Sequence, residues 1–226
     1  MRYSTKYWSL FTVISVIALS LVPRPAQAYF VFNGCTPLQE EVVLDAYSLA
    51  FSRIKDAESF VFDNSIYTRW FGDWEKERAG KVLEQIYAMT SAALIGTPEF
   101  TCLGGSNEPQ LEDVGCSYER LAFFYTREDY HIYLCESFWS IGTEHPDLDQ
   151  TGVLIHELSH LSFDASTRDH CYAIKNRDAC LELAETSPED AIKSADNFRM
   201  FVFDVSKKLG NHQLKDVVGS FVFGAS

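Results

Sequence analysis

Five residues limit what this chain can fold into more than any other stretch: His156-Glu157-Leu158-Ser159-His160, the pattern H-E-x-x-H. Positions i and i+4 of a helix share a face, so the two imidazoles can point at one metal ion. Glu157 projects beside them without ligating, placed to take a proton from a water that such a metal activates. The flanking residues are those of a helix. Thr151 is a candidate N-cap, and Val153, Leu154, Leu158 and Leu161 give an apolar stripe.

A hydrolytic zinc site needs a third protein ligand and one position left open for water. A metzincin would continue with Gly and His at set spacings, but this chain has Phe163 and Ser166 there. A gluzincin takes a Glu roughly twenty residues on, where Glu182 and Glu185 lie. Asp169 sits nine residues after His160, far enough for the helix to end and the chain to fold back over the metal. Spacing leaves all three acids open.

The second half of the pattern reads Ser166-Thr167-Arg168-Asp169-His170-Cys171-Tyr172-Ala173. With the H-E-x-x-H motif it resembles the signature of the aspzincin metallopeptidases, the deuterolysins and lysine-specific metalloendopeptidases, which have G-T-x-D-x-x-Y-G at this place. Ser166 and Ala173 replace the two glycines; Thr, Asp and Tyr match. Phe32-Asn33-Gly34-Cys35, Tyr67-Thr68-Arg69-Trp70-Phe71-Gly72, Tyr133-Leu134-Cys135 and Ala195-Asp196-Asn197 also look like family segments, in family order. The resemblance covers roughly residues 30–205.

The resemblance implies that Asp169 is the third ligand to a single zinc ion, beside His156 and His160. It implies that Glu157 is the general base and Tyr172 the oxyanion donor, in an endopeptidase acting on proteins or peptides. In the lysine-specific branch two acids on a late helix line the pocket for the residue after the cut. Here Asp196 matches the first, and Arg199 stands at the second. One helical turn apart, they can pair and cancel the charge that would receive a lysine, so strict lysine specificity is not expected. Two other readings stand beside this one: a gluzincin-like peptidase using Glu182 or Glu185, and a non-catalytic binding protein on a peptidase-like fold.

Residues 1–28 have the form of a secretory signal, with Arg2 and Lys6, an apolar core from Trp8 to Val22, and Ala26-Gln27-Ala28 as a cleavage site. Residues 29–226 then form one domain, with a core over about 30–205 and a tail from 210 to 226. Removing Arg2, Lys6 and Arg24 with no acidic residue takes the formal net charge from −13 to −16. Such an acidic protein should repel nucleic acid and anionic membranes. No later segment is long enough for a membrane span. A secreted protein, extracellular or periplasmic and monomeric, is expected.

All six cysteines follow the signal, as in exported disulfide proteins. The family resemblance suggests Cys35–Cys102 and Cys116–Cys135, leaving Cys171–Cys180, a bridge that would stiffen the loop carrying Asp169 and Tyr172.

Thr36-Pro37-Leu38-Gln39 opens a first helix with a capping box, and Val42, Val43, Ala46, Leu49, Ala50 and Ile54 should face the core. A second helix is expected from about Asp73 to Ala93, with Trp74, Val82, Leu83, Ile86 and Met89 inward. Gly96 to Gly115 reads as a long loop pinned by Cys102. Arg120–Tyr125 and His131–Cys135 form a hairpin signal around Thr126–Asp129. Leu181–Glu185 is helical, and Ser187-Pro188 starts a helix to about Val205. The expected fold is α+β and mostly helical, a zincin-like single domain with a small antiparallel sheet or hairpin beside a central H-E-x-x-H helix.

Overall fold

The structure, a computed structural model, describes residues 30–95, 98–103, 116, 120–124, 130–141, 149–161 and 167–222. The signal at 1–28, the hairpin turn at 126–129 and Ser166 lie outside the described residues, as does most of the loop at 96–115.

Helix α1 (Pro37–Ala57) starts as its sequence dictates. Thr36 Oγ1 accepts from Gln39 N at 3.3 Å, Gln39 Oε1 accepts from Thr36 N at 2.9 Å, and Pro37 supplies a pre-set φ. Val43, Ala46, Tyr47, Ala50 and Ile54 turn inward. Leu49 does not: it is 44 % exposed, because a residue next to Ala50 falls a third of a turn off the buried face.

The stretch expected as one helix from Asp73 is preceded by a short one, α2 (Ser65–Phe71), capped by Asn64 Oδ1 on the backbone N–H groups of Ile66 and Tyr67. It ends at Gly72, whose φ of +75° favours glycine. A Cβ there would stand 2.6 Å from the carbonyl oxygen of Ala184, so close packing also demands glycine. Helix α3 (Lys76–Ile95) follows. Val82, Ile86 and Met89 are buried and Leu83 is half-buried, whereas Trp74 lies before the helix and is exposed.

Among the described residues four short strands, β1 (Val31–Asn33), β2 (Glu99–Cys102), β3 (Ala122–Phe123) and β4 (His131–Leu134), make one sheet in the order β1-β2-β4-β3. The β3–β4 pair is antiparallel, as the hairpin signal required. The sheet as a whole is not. β1–β2 and β2–β4 are parallel; the helices between β1 and β2 provide the crossover that the first of these pairings needs. β2 also falls within the stretch read as a loop. Its alternation, Phe100 and Cys102 buried with Glu99 and Thr101 half-buried, was masked by the Gly, Pro and Asn around it.

All three disulfides have the expected pairing: Cys35–Cys102, Cys116–Cys135 and Cys171–Cys180. The first ties the chain leaving β1 to the end of β2.

After α4 (Glu136–Ser140) comes the motif helix α5 (Gln150–His160), packed against α1, α3 and α8 (Ala195–Val222). Its N-cap is Asp149 rather than Thr151. Asp149 Oδ1 accepts from Gly152 N at 2.6 Å, and Oδ2 pairs with Arg53 of α1 at 3.0 Å. Thr151 is buried inside the first turn. The apolar stripe extends nearly all round the helix, since Thr151 through Ile155 are all buried, as befits a helix enclosed by three others.

The chain closes with α6 (Arg177–Thr186), the single turn α7 (Pro188–Ala191), and α8. The helix expected from Ser187 to Val205 is therefore broken between Ala191 and Ala195, and its second part runs on to Val222. Buried Asn197 of α8 donates to the carbonyls of Trp70 (2.8 Å) and Cys180 (3.0 Å), fastening α2 and α6 to α8 and satisfying its own buried amide.

Candidate metal centre

His156 and His160 leave α5 on one face, as their spacing requires, with Nε2 atoms 3.2 Å apart. Asp169 meets both: its Oδ1 lies 3.1 Å from His156 Nε2 and 3.2 Å from His160 Nε2. Tetrahedral donors held at about 2.0–2.1 Å from a zinc ion stand about 3.3 Å from one another, so this triangle of two imidazole nitrogens and one carboxylate oxygen fits zinc. Among the described residues these three form the one His/Cys/Asp/Glu group with such convergence. Glu182 and Glu185, the other acids that spacing allowed, face solvent on α6 and are not part of it.

Each of the three candidate ligands is aimed from behind. His156 Nδ1 is 2.8 Å from Asp196 Oδ1, and His160 Nδ1 is 3.1 Å from the carbonyl oxygen of Thr167. An N–H donated from Nδ1 in both rings leaves both Nε2 lone pairs facing the cluster. Thr167 Oγ1 lies 2.7 Å from Ser159 Oγ, which donates to the His156 carbonyl at 2.6 Å. Gln85 of α3 donates to the Ser159 carbonyl at 2.9 Å. Asp169 is held through its neighbour: Arg168 N donates to Lys193 O at 2.7 Å and Ala195 N to Arg168 O at 3.0 Å, stitching this segment to the start of α8.

The electrostatics describe a site that attracts a cation. Burial works against a charged His156 imidazole, but the hydrogen bonds of Asp169 and Asp196 outweigh it and raise its pKa to about 10. Burial would raise the Asp169 carboxyl, yet its hydrogen bonds to His156 and His160 hold it well below the usual carboxylate range. Glu157 is 5 % exposed, and burial pushes its carboxyl up, with His156 and His160 opposing. Tyr172 is 44 % exposed and donates to Asp169 Oδ2 at 2.9 Å; burial first, then that bond, raises its pKa to about 12.

Asp196 and Arg199 are not open to a substrate side chain. They are 2 % and 3 % exposed, beneath the histidines. They pair as their spacing suggested, Arg199 Nε to Asp196 Oδ1 at 2.8 Å. Asp196 is thereby a support of His156, a contact that the expectation for the two residues did not include. Sequence reasoning matched Thr167 but gave it no task, and it passed over Ser159 and Gln85. A small hydroxyl residue within the motif helix was the available signal.

Phe124, just after β3, places its ring 5.1 Å from that of His160. This sets β3, the edge of the sheet, beside the cluster. No described helix is long and apolar enough to cross a membrane.

Known proteins are similar to this chain in sequence and fold. The sequence profile described as "Lysine-specific metallo-endopeptidase", the aspzincin profile, matches residues 57–203. An "Extracellular protease" of Aeromonas hydrophila is 29% identical over 184 residues, 79% of this chain and 49% of that protein. A "Peptidyl-Lys metalloendopeptidase" of Grifola frondosa is 27% identical over 175 residues, 75% of this chain and 45% of the relative. The chain thus matches about half the length of these two relatives. A solved zinc peptidase from Grifola frondosa superposes with a TM-score of 0.61 at 26% identity, covering 75% of this chain and 97% of that one.

Proposed function

The chain belongs to the aspzincin family, the lysine-specific metallo-endopeptidases, and from that premise we propose that it is a secreted zinc metalloendopeptidase cleaving protein or peptide substrates. One observation carries the reading. Two imidazole nitrogens and a carboxylate oxygen from His156, His160 and Asp169 converge within 3.2 Å of one another, with a buried Glu157 and an exposed Tyr172 beside them.

When bound, zinc supplies Lewis acidity, lowering the pKa of a water to about 7 and polarising the scissile carbonyl. Glu157 takes the proton of the attacking water and returns it to the leaving amine. Its burial suits that double task, because a raised carboxyl pKa moves it toward neutrality. The Tyr172 hydroxyl leaves Asp169 and donates to the carbonyl oxygen as negative charge develops there. The outer strand β3, beside the cluster, is where an extended substrate chain would align.

Cleavage is not confined to lysine. The carboxylate of Asp196 already meets His156, Arg199 and the Ala173 backbone N–H, which leaves little charge to attract an ammonium group. Residues 1–28 direct export and are removed, and the acidic product works as a monomer without nucleic acid or membrane insertion.

A digest of a denatured protein mixture tests all of this, with zinc supplied and Glu157→Ala as control. New N-termini that vanish with Glu157→Ala support the assignment. Stoichiometric zinc with no bond cut rules it out, and cuts only before lysine overturn the specificity.

A further inference from the structure

A carboxylate hung from one Cβ–Cγ bond is free to turn, and an oxygen that swings away no longer orients the imidazole it serves. In this chain Asp196 does not turn freely. Arg199 Nε donates to Oδ1 at 2.8 Å and one terminal nitrogen of the same guanidinium donates to Oδ2 at 3.3 Å, a two-point grip that fixes the carboxylate plane. With the plane fixed, Oδ1 faces His156 Nδ1 at 2.8 Å, and Oδ2 receives the backbone N–H of Ala173 at 2.5 Å. Ala173 directly follows Tyr172, so one carboxylate supports both the metal helix and the loop that carries Asp169 and Tyr172.

The guanidinium has no solvent role to explain it. Arg199 is 3 % exposed, and its side chain lies against the first turn of α5, where a Cβ added at Gly152 would meet its Cδ and Nη1 at 3.7 Å. A buried ion pair is weak grounds for stability, since its desolvation cost offsets its attraction, so its geometry is the better guide to its use.

We propose that Arg199 is a positioning residue of the zinc site, acting through Asp196 to hold the His156 ring and the 172–173 turn in ligating register. This rests on the metallopeptidase reading only in taking His156 as a zinc ligand; Arg199 reaches that residue through Asp196. Partners behind a ligating histidine typically matter about 10- to 100-fold in metal affinity.

The test is zinc affinity of the folded protein, by chelator competition, in a cycle of Asp196→Asn, Arg199→Met and the double variant, with near-UV circular dichroism as the check on folding. Each single variant should bind zinc about 10- to 100-fold more weakly than the parent. The double variant should match Asp196→Asn within about twofold, since the two residues act through one contact. Arg199→Lys should recover part of the affinity. At saturating zinc, Arg199→Met should lower kcat with KM nearly unchanged. Parental zinc affinity in folded Arg199→Met overturns the proposal. So does a double-variant loss equal to the product of the single losses, or a change confined to KM, which would make Arg199 a substrate contact. If Arg199→Met does not fold, Arg199→Lys decides in its place: parental affinity and kcat refute the role, and weakened zinc binding supports it. The parent enzyme, assayed alongside, tests the peptidase reading separately.

Discussion

Asp169 divides its two oxygens between two tasks: Oδ1 faces His156 and His160, while Oδ2 accepts the hydroxyl of Tyr172 at 2.9 Å. The tyrosine is thus parked on the carboxylate that faces both histidines, with the residue 44 % exposed and its ring 6.4 Å from that of His156. Its pKa of about 12 keeps the proton on the hydroxyl throughout the neutral range. Tyr172→Phe removes that donor and keeps the ring. It should reduce kcat by on the order of a hundredfold, as the loss of an oxyanion donor does elsewhere. Zinc content should remain at the parental level, since Oδ1 and both imidazoles are untouched. A variant that keeps full kcat would remove Tyr172 from the mechanism.

The third ligand can be assigned by composition alone. Asp169→Ala takes away one corner of the triangle, whereas Glu182 and Glu185 lie exposed on α6. Metal analysis after dialysis should find Asp169→Ala depleted of zinc and Glu182→Ala and Glu185→Ala loaded like the parent. The reverse pattern would mean that α6 reaches the metal in solution.

The parts of this site that could be read from the sequence are those fixed by local geometry. Helical spacing alone places His156, Glu157 and His160, and the capping box of Thr36 and Gln39 needs only four residues. Asp169, Tyr172 and the disulfides came by family likeness, which stores long-range information that spacing cannot. What escaped depended on packing between distant segments. Asp149 rather than Thr151 caps α5 because Arg53, far back on α1, holds its other oxygen. β2 is a strand because β1 and β4 flank it, and the helices between β1 and β2 supply the crossover for the first of those parallel pairings. Asp196 and Arg199 were placed on the right helix and paired correctly, yet their burial under His156 is a tertiary fact.

Zinc binding should release a proton. In the metal-free protein His156 has a pKa of about 10, so at neutral pH its ring is charged and must lose a proton to ligate. Affinity should therefore rise as pH rises toward 10, and calorimetry in buffers of different ionisation enthalpy should find about one proton released per zinc at pH 7. The same shift makes a statement about stability without metal. The folded-state pKa is raised above the ordinary 6.5, so the contribution of His156 is complete below about 6.5 and is lost as pH rises through about 10. Asp169 and Asp196 are shifted the other way, so their contribution is present above the usual carboxylate range and fades as pH falls through it. Denaturant unfolding of apoprotein should show the advantage of the parent over His156→Gln shrinking between pH 6 and pH 10. A constant gap would mean that the ring is already neutral.

Cys171–Cys180 closes the loop between the ligand segment and α6, with Cys171 lying between Asp169 and Tyr172. A cross-link spanning nine residues of sequence restricts the unfolded chain by an amount worth about 2.5 kcal/mol on the loop-entropy account. The double variant Cys171→Ala, Cys180→Ala should lower unfolding free energy by roughly that much. The local effect should be larger than the global one suggests. Cys180 is fully buried on α6, where Asn197 anchors its carbonyl, so the bridge fixes the loop to a helix that is itself held from α8. Without it, Asp169 and Tyr172 are held by the Arg168 bridge to Ser194 and by Ala173 on Asp196. Zinc affinity and kcat should then both fall, while removing Cys116–Cys135 should lower stability without that pairing of effects. If the Cys171–Cys180 variant loses stability yet keeps its zinc affinity and kcat, the bridge is a staple for the fold and has no part in setting the site.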